Sequence, residues 1–277
     1  MNVPALLPCR SLGGYERLET LLDCDRPCDE SVLEHVATMP DFAAHVLRTA
    51  NSESWGHGMP INRLDHAVIL LGRNGLRDLV AELALLPEFT PNSPSLDVGR
   101  YIEHCVAISQ GAALIAQAAE LPVVMEAKTA GLLHDIGIQL EVERSEIEFL
   151  NALESSRRSG SRLLEHERLT IGTDHCEAGE MWMTQNGLPE ALRAATAFHH
   201  DPLNAPAEHR FLATILYAAE CLARRAGFDD LDGDTSAALE PRVLAELRLN
   251  ERVIEALVPA LGEKVGALWA KRVPALA

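Results

Sequence analysis

An adjacent histidine and aspartate stand inside an apolar, small-residue run, Ala130-Gly131-Leu132-Leu133-His134-Asp135-Ile136-Gly137. Residues 123 to 137 are apolar nearly all round, the pattern of one helix buried on several sides. Ala130 and Gly131 permit a neighbouring helix to come close. Two polar groups taken out of water without partners cost several kcal/mol, so the fold must satisfy them. A metal ion is one way; a hydrogen-bonded pair is the other.

The flanking segments supply further candidates. Residues 98 to 119 read as a long helix with Ile108, Ala112 and Ile115 on its apolar face, and His104 sits one turn before Ile108. Thr173 or Asp174 is a fitting N-cap for a helix with His175, Gly179 and Trp182 on one side, ending at Gly187. Pro189 suits the first turn of the next helix, which runs to Phe198-His199-His200 and stops at Asp201-Pro202. From about Arg210 to Arg225, Ala213, Leu216 and Glu220 form one stripe, placing a carboxylate beside the core.

Upstream, apolar residues at helical spacing fill 16 to 38. Pro40 interrupts, a new helix starts near Asp41 and reaches about Asn51, and Trp55 to Pro60 form a loop. A helix from Asn62 to Leu71 is closed by Gly72 in the C-cap manner, and another covers Leu76 to Leu86. Pro87 to Pro94 reads as a linker. The first fifteen residues read as extended, 145 to 168 as two exposed helices around Ser159-Gly160, and 227 to 238 as an acidic mobile loop. Two amphipathic helices over 240 to 273 are expected to serve packing or an oligomer contact. No strand signal and no internal repeat appear.

Leu and Ala dominate a chain of 277 residues that is 47% apolar and only 4% aromatic, which favours helix. A net charge of −17 argues against nucleic acid or anionic lipid as partner. The one dense basic stretch, Arg157-Arg158-Ser159-Gly160-Ser161-Arg162, reads as a solvated loop. With no run long enough to span a membrane and no secretory leader, a cytoplasmic location is expected. Cys9, Cys24, Cys28, Cys105, Cys176 and Cys221 lack zinc-knuckle spacing and read as reduced thiols.

These motifs, together with Val46-Leu47-Arg48-Thr49-Ala50-Asn51-Ser52 and the run from Ile61 to Gly72, resemble the HDOD domain. This is a bacterial signalling domain related to the HD superfamily of metal-dependent phosphohydrolases, and the likeness spans roughly residues 15 to 225. It implies an all-α helical bundle. An N-terminal HDOD-type half (1–90) would pack on an HD-like half (95–225), followed by a C-terminal helical extension (226–277). It also implies two divalent ions, with iron, manganese or zinc suited to imidazole and carboxylate. His104, His134, Asp135 and Glu220 would hold one; His175, His199 and His200 would hold the other, with Asp135 bridging. Each residue has a plainer reading. His104 could be a hydrogen-bonded core histidine, His199-His200 could meet the partial charge of a helix end, and a rotated helix would expose Glu220.

The chain departs from the related patterns at four places. Glu220 stands where an aspartate is usual. Ile138 replaces the lysine of the HD-GYP phosphodiesterases, a residue able to stabilise developing phosphate charge. Asp201-Pro202-Leu203 replaces their Gly-Tyr-Pro segment. Met39 replaces the acidic residue before the proline of the first motif. The loss of that lysine argues against cyclic-dinucleotide hydrolysis of the HD-GYP type.

Two functions follow. One is a signalling module acting on a partner protein, with homo-oligomers and a nucleotide or phosphoester ligand compatible with it. The other is a metal-dependent phosphohydrolase, with Arg157, Arg158 or Arg162 steering phosphate. A di-iron oxygenase uses the same ligand types. The first is favoured because an intact ligand set is necessary for hydrolysis but not sufficient. His35, His45, His57, His66, His166 and His209 lie outside the pattern and read as structural or surface residues.

Overall fold

Helix α5 (Val98–Ala118) is buried on almost every face, from Tyr101 and Ile102 to Ile115 and Ala116. Asp97 caps it by accepting the backbone N–H of Arg100 at 3.2 Å. The helices α6 (Val124–Leu133), α11 (Arg210–Ala226) and α13 (Glu251–Arg272) pack around it. The computed structural model describes residues 14–23, 30–55, 58–86, 89, 96–228, 231, 233, 236 and 238–272. Among these are thirteen α-helices, two short 3-10 helices and no strand, the all-α architecture expected.

The N-terminal half comprises α1 (Tyr15–Leu22), α2 (Glu30–Val36), α3 (Pro40–Ala50) and α4 (Leu64–Leu83). Gly72 interrupts α4 with a positive φ of 59°, where the sequence calls for a stop. Asn51 holds the loop after α3: its side chain donates to Ile61 O at 2.9 Å and accepts Ile61 N–H at 2.8 Å. Met39 makes no cap and is fully buried. The half joins the rest through α3 and α4 against α6, where Thr129 Oγ1 accepts the N–H of Leu64 at 3.0 Å.

Four helices follow α6: α7 (Ile136–Ser159), α8 (Leu163–Thr170), α9 (His175–Gln185) and α10 (Glu190–Phe198). The single helix expected over 123 to 137 is two. Leu133 ends α6 and Ile136 begins α7. The His134 ring donates from Nδ1 to Gly131 O at 2.9 Å. A side chain thus takes up a carbonyl at the end of α6, and the chain turns. The two helices around Gly160 are present but not simply exposed, since Phe149, Ala152, Leu153 and Leu163 are buried.

At the C-terminal end, α12 (Pro241–Leu247) precedes α13, which packs on α5, α11 and α2. Lys271 Nζ reaches Glu34 at 2.7 and 2.8 Å. Within 227 to 238, Leu231 and Gly233 are buried, and Gly233 N–H donates to Ser156 Oγ at 2.8 Å. The extended start, the linker at 87 to 94 (Phe89 excepted), Cys9, Cys24, Cys28 and His57 lie outside the described residues. Cys105, Cys176 and Cys221 are free and buried. Among the described residues no helix is long and apolar enough to cross a membrane.

Candidate metal centre

All seven residues singled out in the sequence converge on one place. His104 comes from α5, Glu220 from α11, His175 from the first turn of α9, and His134 and Asp135 from the α6–α7 junction. His199 and His200 follow α10. Six of them are buried and His200 is half-buried. Two close backbone approaches make the convergence feasible. A Cβ on Gly131 would lie 2.8 Å from Ile108 O on α5, and one on Gly137 would lie 1.9 Å from His175 O. Only glycine allows these helices so close.

The ring orientations share one feature. His104 Nδ1 faces Phe228 O at 3.0 Å, His134 Nδ1 faces Gly131 O at 2.9 Å, and His199 Nδ1 faces Thr196 O at 2.7 Å. His175 Nδ1 faces Glu167 Oε2 at 2.7 Å. Each Nδ1 must carry the proton to donate to these oxygens. When the ring is neutral, Nε2 is then left as a bare lone pair.

Those Nε2 atoms meet one another and the carboxylates. His104 Nε2 is 3.2 Å from His134 Nε2, and His175 Nε2 is 3.1 Å from His200 Nε2. Glu220 Oε1 is 2.9 Å from His134 Nε2 and 3.4 Å from His104 Nε2. Asp135 serves both sides. Its Oδ2 is 3.2 Å from His134 Nε2 and 3.5 Å from His104 Nε2. Its Oδ1 is 3.4 Å from His199 Nε2 and 3.6 Å from His175 Nε2, and has no hydrogen-bond partner. Ligands at about 2.1 Å from a common ion lie roughly 3.0–3.4 Å apart at octahedral or tetrahedral angles. The donor set therefore fits a metal: facing lone pairs repel unless a cation or proton lies between them, and Asp135 Oδ1 is a buried orphan.

Without metal, protons must balance the carboxylates. Burial opposes charge at His104 and His134, but Glu220 and Asp135 outweigh it and hold both imidazoles above their ordinary value. Burial is likewise outweighed at His199, raised to about 10 by Cys176 and Asp135, and at His175, raised by Cys176 and Glu167. The same contacts overcome burial at Asp135 and Glu220 and keep both well below the usual carboxylate range. His200 moves the other way, lowered by burial and then by His199 and His175.

Several supporting residues escaped the sequence reading. Glu167 accepts both the ring and the backbone N–H of His175, orienting that ring as metal-bound histidines are commonly oriented. Behind it, burial and then Glu167 push Glu141 up to about 10. Tyr101 donates to Asp135 O at 3.2 Å. Cys176 Sγ lies 3.8 Å from His199 Nδ1; burial is overcome there by His175 and His199, which lower the thiol. Asp174, not Thr173, caps α9, accepting Glu177 N–H at 2.9 Å. Only Cys176, next to His175, carried a visible signal. Glu141 and Glu167 sit in sequence that looks like any polar helix.

A cavity of about 20 Å³ opens beside the cluster, walled by Ile138, Leu163, Leu231 and Arg224 as well as His104, Asp135, His175, His200 and Glu220. Ile138, which stands where the HD-GYP pattern has a lysine, thus faces the site. The guanidinium at this cavity is Arg224; Arg157, Arg158 and Arg162 do not line it, and Arg158 pairs with Glu154 at 2.6 Å on the surface.

The all-helical fold gathers five histidines and two acids from inside α5 and α11, the start of α9, the α6–α7 junction and the end of α10. The HDOD domain model matches residues 15–202, and the chain belongs to that family. Solved structures share the fold. The MmoQ response regulator of Methylococcus capsulatus is 24% identical, with 91% of this chain and 98% of that one covered and a TM-score of 0.71. A virulence factor of Campylobacter jejuni is 16% identical over 91% and 99%, at 0.62. An HDOD domain protein of unknown function from Geobacter sulfurreducens is 21% identical over 95% and 93%, at 0.58. No curated protein matches the chain.

Proposed function

We propose that this protein is a cytoplasmic signalling domain that holds divalent metal in its HD-like half and acts through contact with a partner protein, not through turnover. The observation that carries this is a donor set converged for cations with little room beside it among the described residues. Imidazole Nε2 atoms face each other at 3.1 and 3.2 Å with two carboxylates among them. The space beside them is about 20 Å³, roughly room for one water, whereas ligand pockets commonly begin near 300 Å³. His104, His134, Glu220 and Asp135 Oδ2 would hold one ion; His175, His199, His200 and Asp135 Oδ1 would hold the second. Bound iron, manganese or zinc would supply Lewis acidity. In this chain the surrounding residues chiefly fix the ligands: Glu167 orients His175, Tyr101 anchors Asp135, and Ile138 with Leu231 narrows the cavity. Metal held this way ties α5, α6, α9, α10 and α11 into one unit, a rigid face for a partner.

A second reading, phosphohydrolase, rests on the same donor set and on Arg224, which could meet phosphate at the cavity mouth. Metal-loaded protein assayed against phosphomonoesters, nucleotides and cyclic dinucleotides separates the two. The signalling reading predicts no turnover above the metal-only control. Turnover abolished by Asp135→Ala sinks it.

A further inference from the structure

The chain's 24 basic residues include only three lysines, Lys128, Lys264 and Lys271, and all three line one cavity far along α6 and α13 from any use at the metal centre. The cavity measures about 390 Å³ and lies where α2, α4, α5, α6 and α13 meet. Its apolar wall includes Leu33, Leu64, Met125, Leu132 and Leu268.

Pairing decides the net character of the polar wall. Asp65 is taken by Arg63 at 2.7 and 3.2 Å. Glu34 is taken by Lys271 at 2.7 and 2.8 Å. Glu30 is exposed, in the first turn of α2. Among the described residues Lys128 and Lys264 make no ion pair or hydrogen bond through their ammonium groups. Lys128 is half-buried; burial and then the nearby charge of Lys264 lower its pKa, against a smaller opposing pull from Glu34 and Asp65. A chain of net charge −17 offers surface carboxylates in abundance, yet among the described residues none comes within ion-pair distance of either ammonium group. A third group points the same way. Gln110 is only 5% exposed, lines the cavity, and its Nε2 is buried without a hydrogen-bond partner. An unmet buried donor is costly, and an acceptor oxygen in the cavity would meet it.

We infer that this cavity binds a small organic anion, with a carboxylate or phosphate head against Lys128, Lys264 and Gln110 and an apolar body against Leu33, Met125 and Leu132. Its size falls at the lower end for small-molecule sites, roughly 300–1,000 Å³. The location gives the ligand leverage. Glu34 and Leu33 belong to the N-terminal half, Gln110 shares α5 with His104, and Leu132 precedes His134 by half a turn. A ligand here braces the N-terminal half, the HD-like half and α13 against one another, and stabilises the joined form by linkage. The inference is independent of the metal reading.

Isothermal titration of the chelator-treated full chain with phenyl phosphate and with benzoate tests it, with phenol as the uncharged control. Chelation removes metal as a competing phosphate receptor. The expected result is saturable one-site binding of at least one anion and none of phenol; which anion binds identifies the head group. Lys264 is exposed and can be replaced without disturbing the core. Lys264→Gln is expected to weaken binding roughly tenfold, and Lys264→Glu to weaken it further. Lys128→Met, which keeps the aliphatic stem, is expected to have an equal or larger effect, with circular dichroism confirming the fold. No binding of either anion at millimolar concentration overturns the inference. So does binding that Lys264→Glu leaves unchanged, or phenol binding as well as the anions.

Discussion

Gly137→Ala separates a packing requirement from a merely conformational one. An added Cβ would sit 1.9 Å from His175 O, 2.7 Å from His175 C and 2.8 Å from Gly179 N. All three are backbone atoms of α9 and cannot swing aside. Ordinary contact begins near 3.4 Å, so the start of α9 must retreat from α7 by about 1.5 Å. His175 rides on that first turn, and its Nε2 already stands 3.6 Å from Asp135 Oδ1. Metal–ligand distances tolerate errors of only about 0.2 Å, so the retreat removes His175 from any shared ion. The expected cost is about 1–3 kcal/mol or more from overpacking, with loss of bound metal. Gly187→Ala is the control: its φ is +68° but nothing lies within 4 Å of an added Cβ. It should cost only about 1 kcal/mol and leave metal untouched. Urea midpoints and elemental analysis of both variants provide the assay. A Gly137→Ala protein with wild-type midpoint and metal content would refute the packing argument.

Two further outcomes follow from the centre's surroundings. In metal-free protein, His199 is raised from 6.5 to about 10, so its stabilisation is complete below its unfolded value and lost as pH rises toward 10. Asp135 and Glu220 are depressed, so theirs is present above their unfolded values and lost as pH falls below them. Glu141, raised from 4.5 to about 10, acts in the same sense as His199, so the Tm of chelated protein should decline from about pH 6 toward about pH 9, while added Mn²⁺ or Zn²⁺ should raise Tm more at the alkaline end, because its ligands must be deprotonated; a chelated protein that gains Tm over that range contradicts this charge assignment. Asp174→Ala should lower stability by about 1–2 kcal/mol, because Asp174 is buried, caps α9 and holds Arg168 at 2.6 Å; an unchanged urea midpoint would show that the cap contributes nothing.

Much of this was legible in residue order because helices advertise their ends. Pro40, Gly72, Gly160, Gly187 and Pro189 all punctuate the chain where the sequence places them. The seven clustered residues were legible as a resemblance, since each sits at a helix joint or on an apolar face beside a recognisable run. The break between His134 and Asp135 was not. Residues 123 to 137 carry no proline and Gly131 stays inside α6; the helix ends where a side-chain nitrogen takes Gly131 O, a choice without a sequence signature. Glu141 and Glu167 were hidden for a related reason. On helices rich in Glu and Arg, one buried carboxylate looks like its exposed neighbours until His175 is packed against it. The lysine cavity was invisible too, because Lys128 and Lys264 are far apart in sequence and meet only when α13 lies across α5.

The most direct test is elemental analysis of protein purified without chelator, beside Asp135→Ala and His134→Ala. Near-stoichiometric iron, manganese or zinc in the wild type, lost in both variants while circular dichroism shows the helices intact, is the predicted result. Wild-type protein that carries no metal and takes up none when it is added would contradict the metal centre, leaving the facing imidazoles to share protons alone.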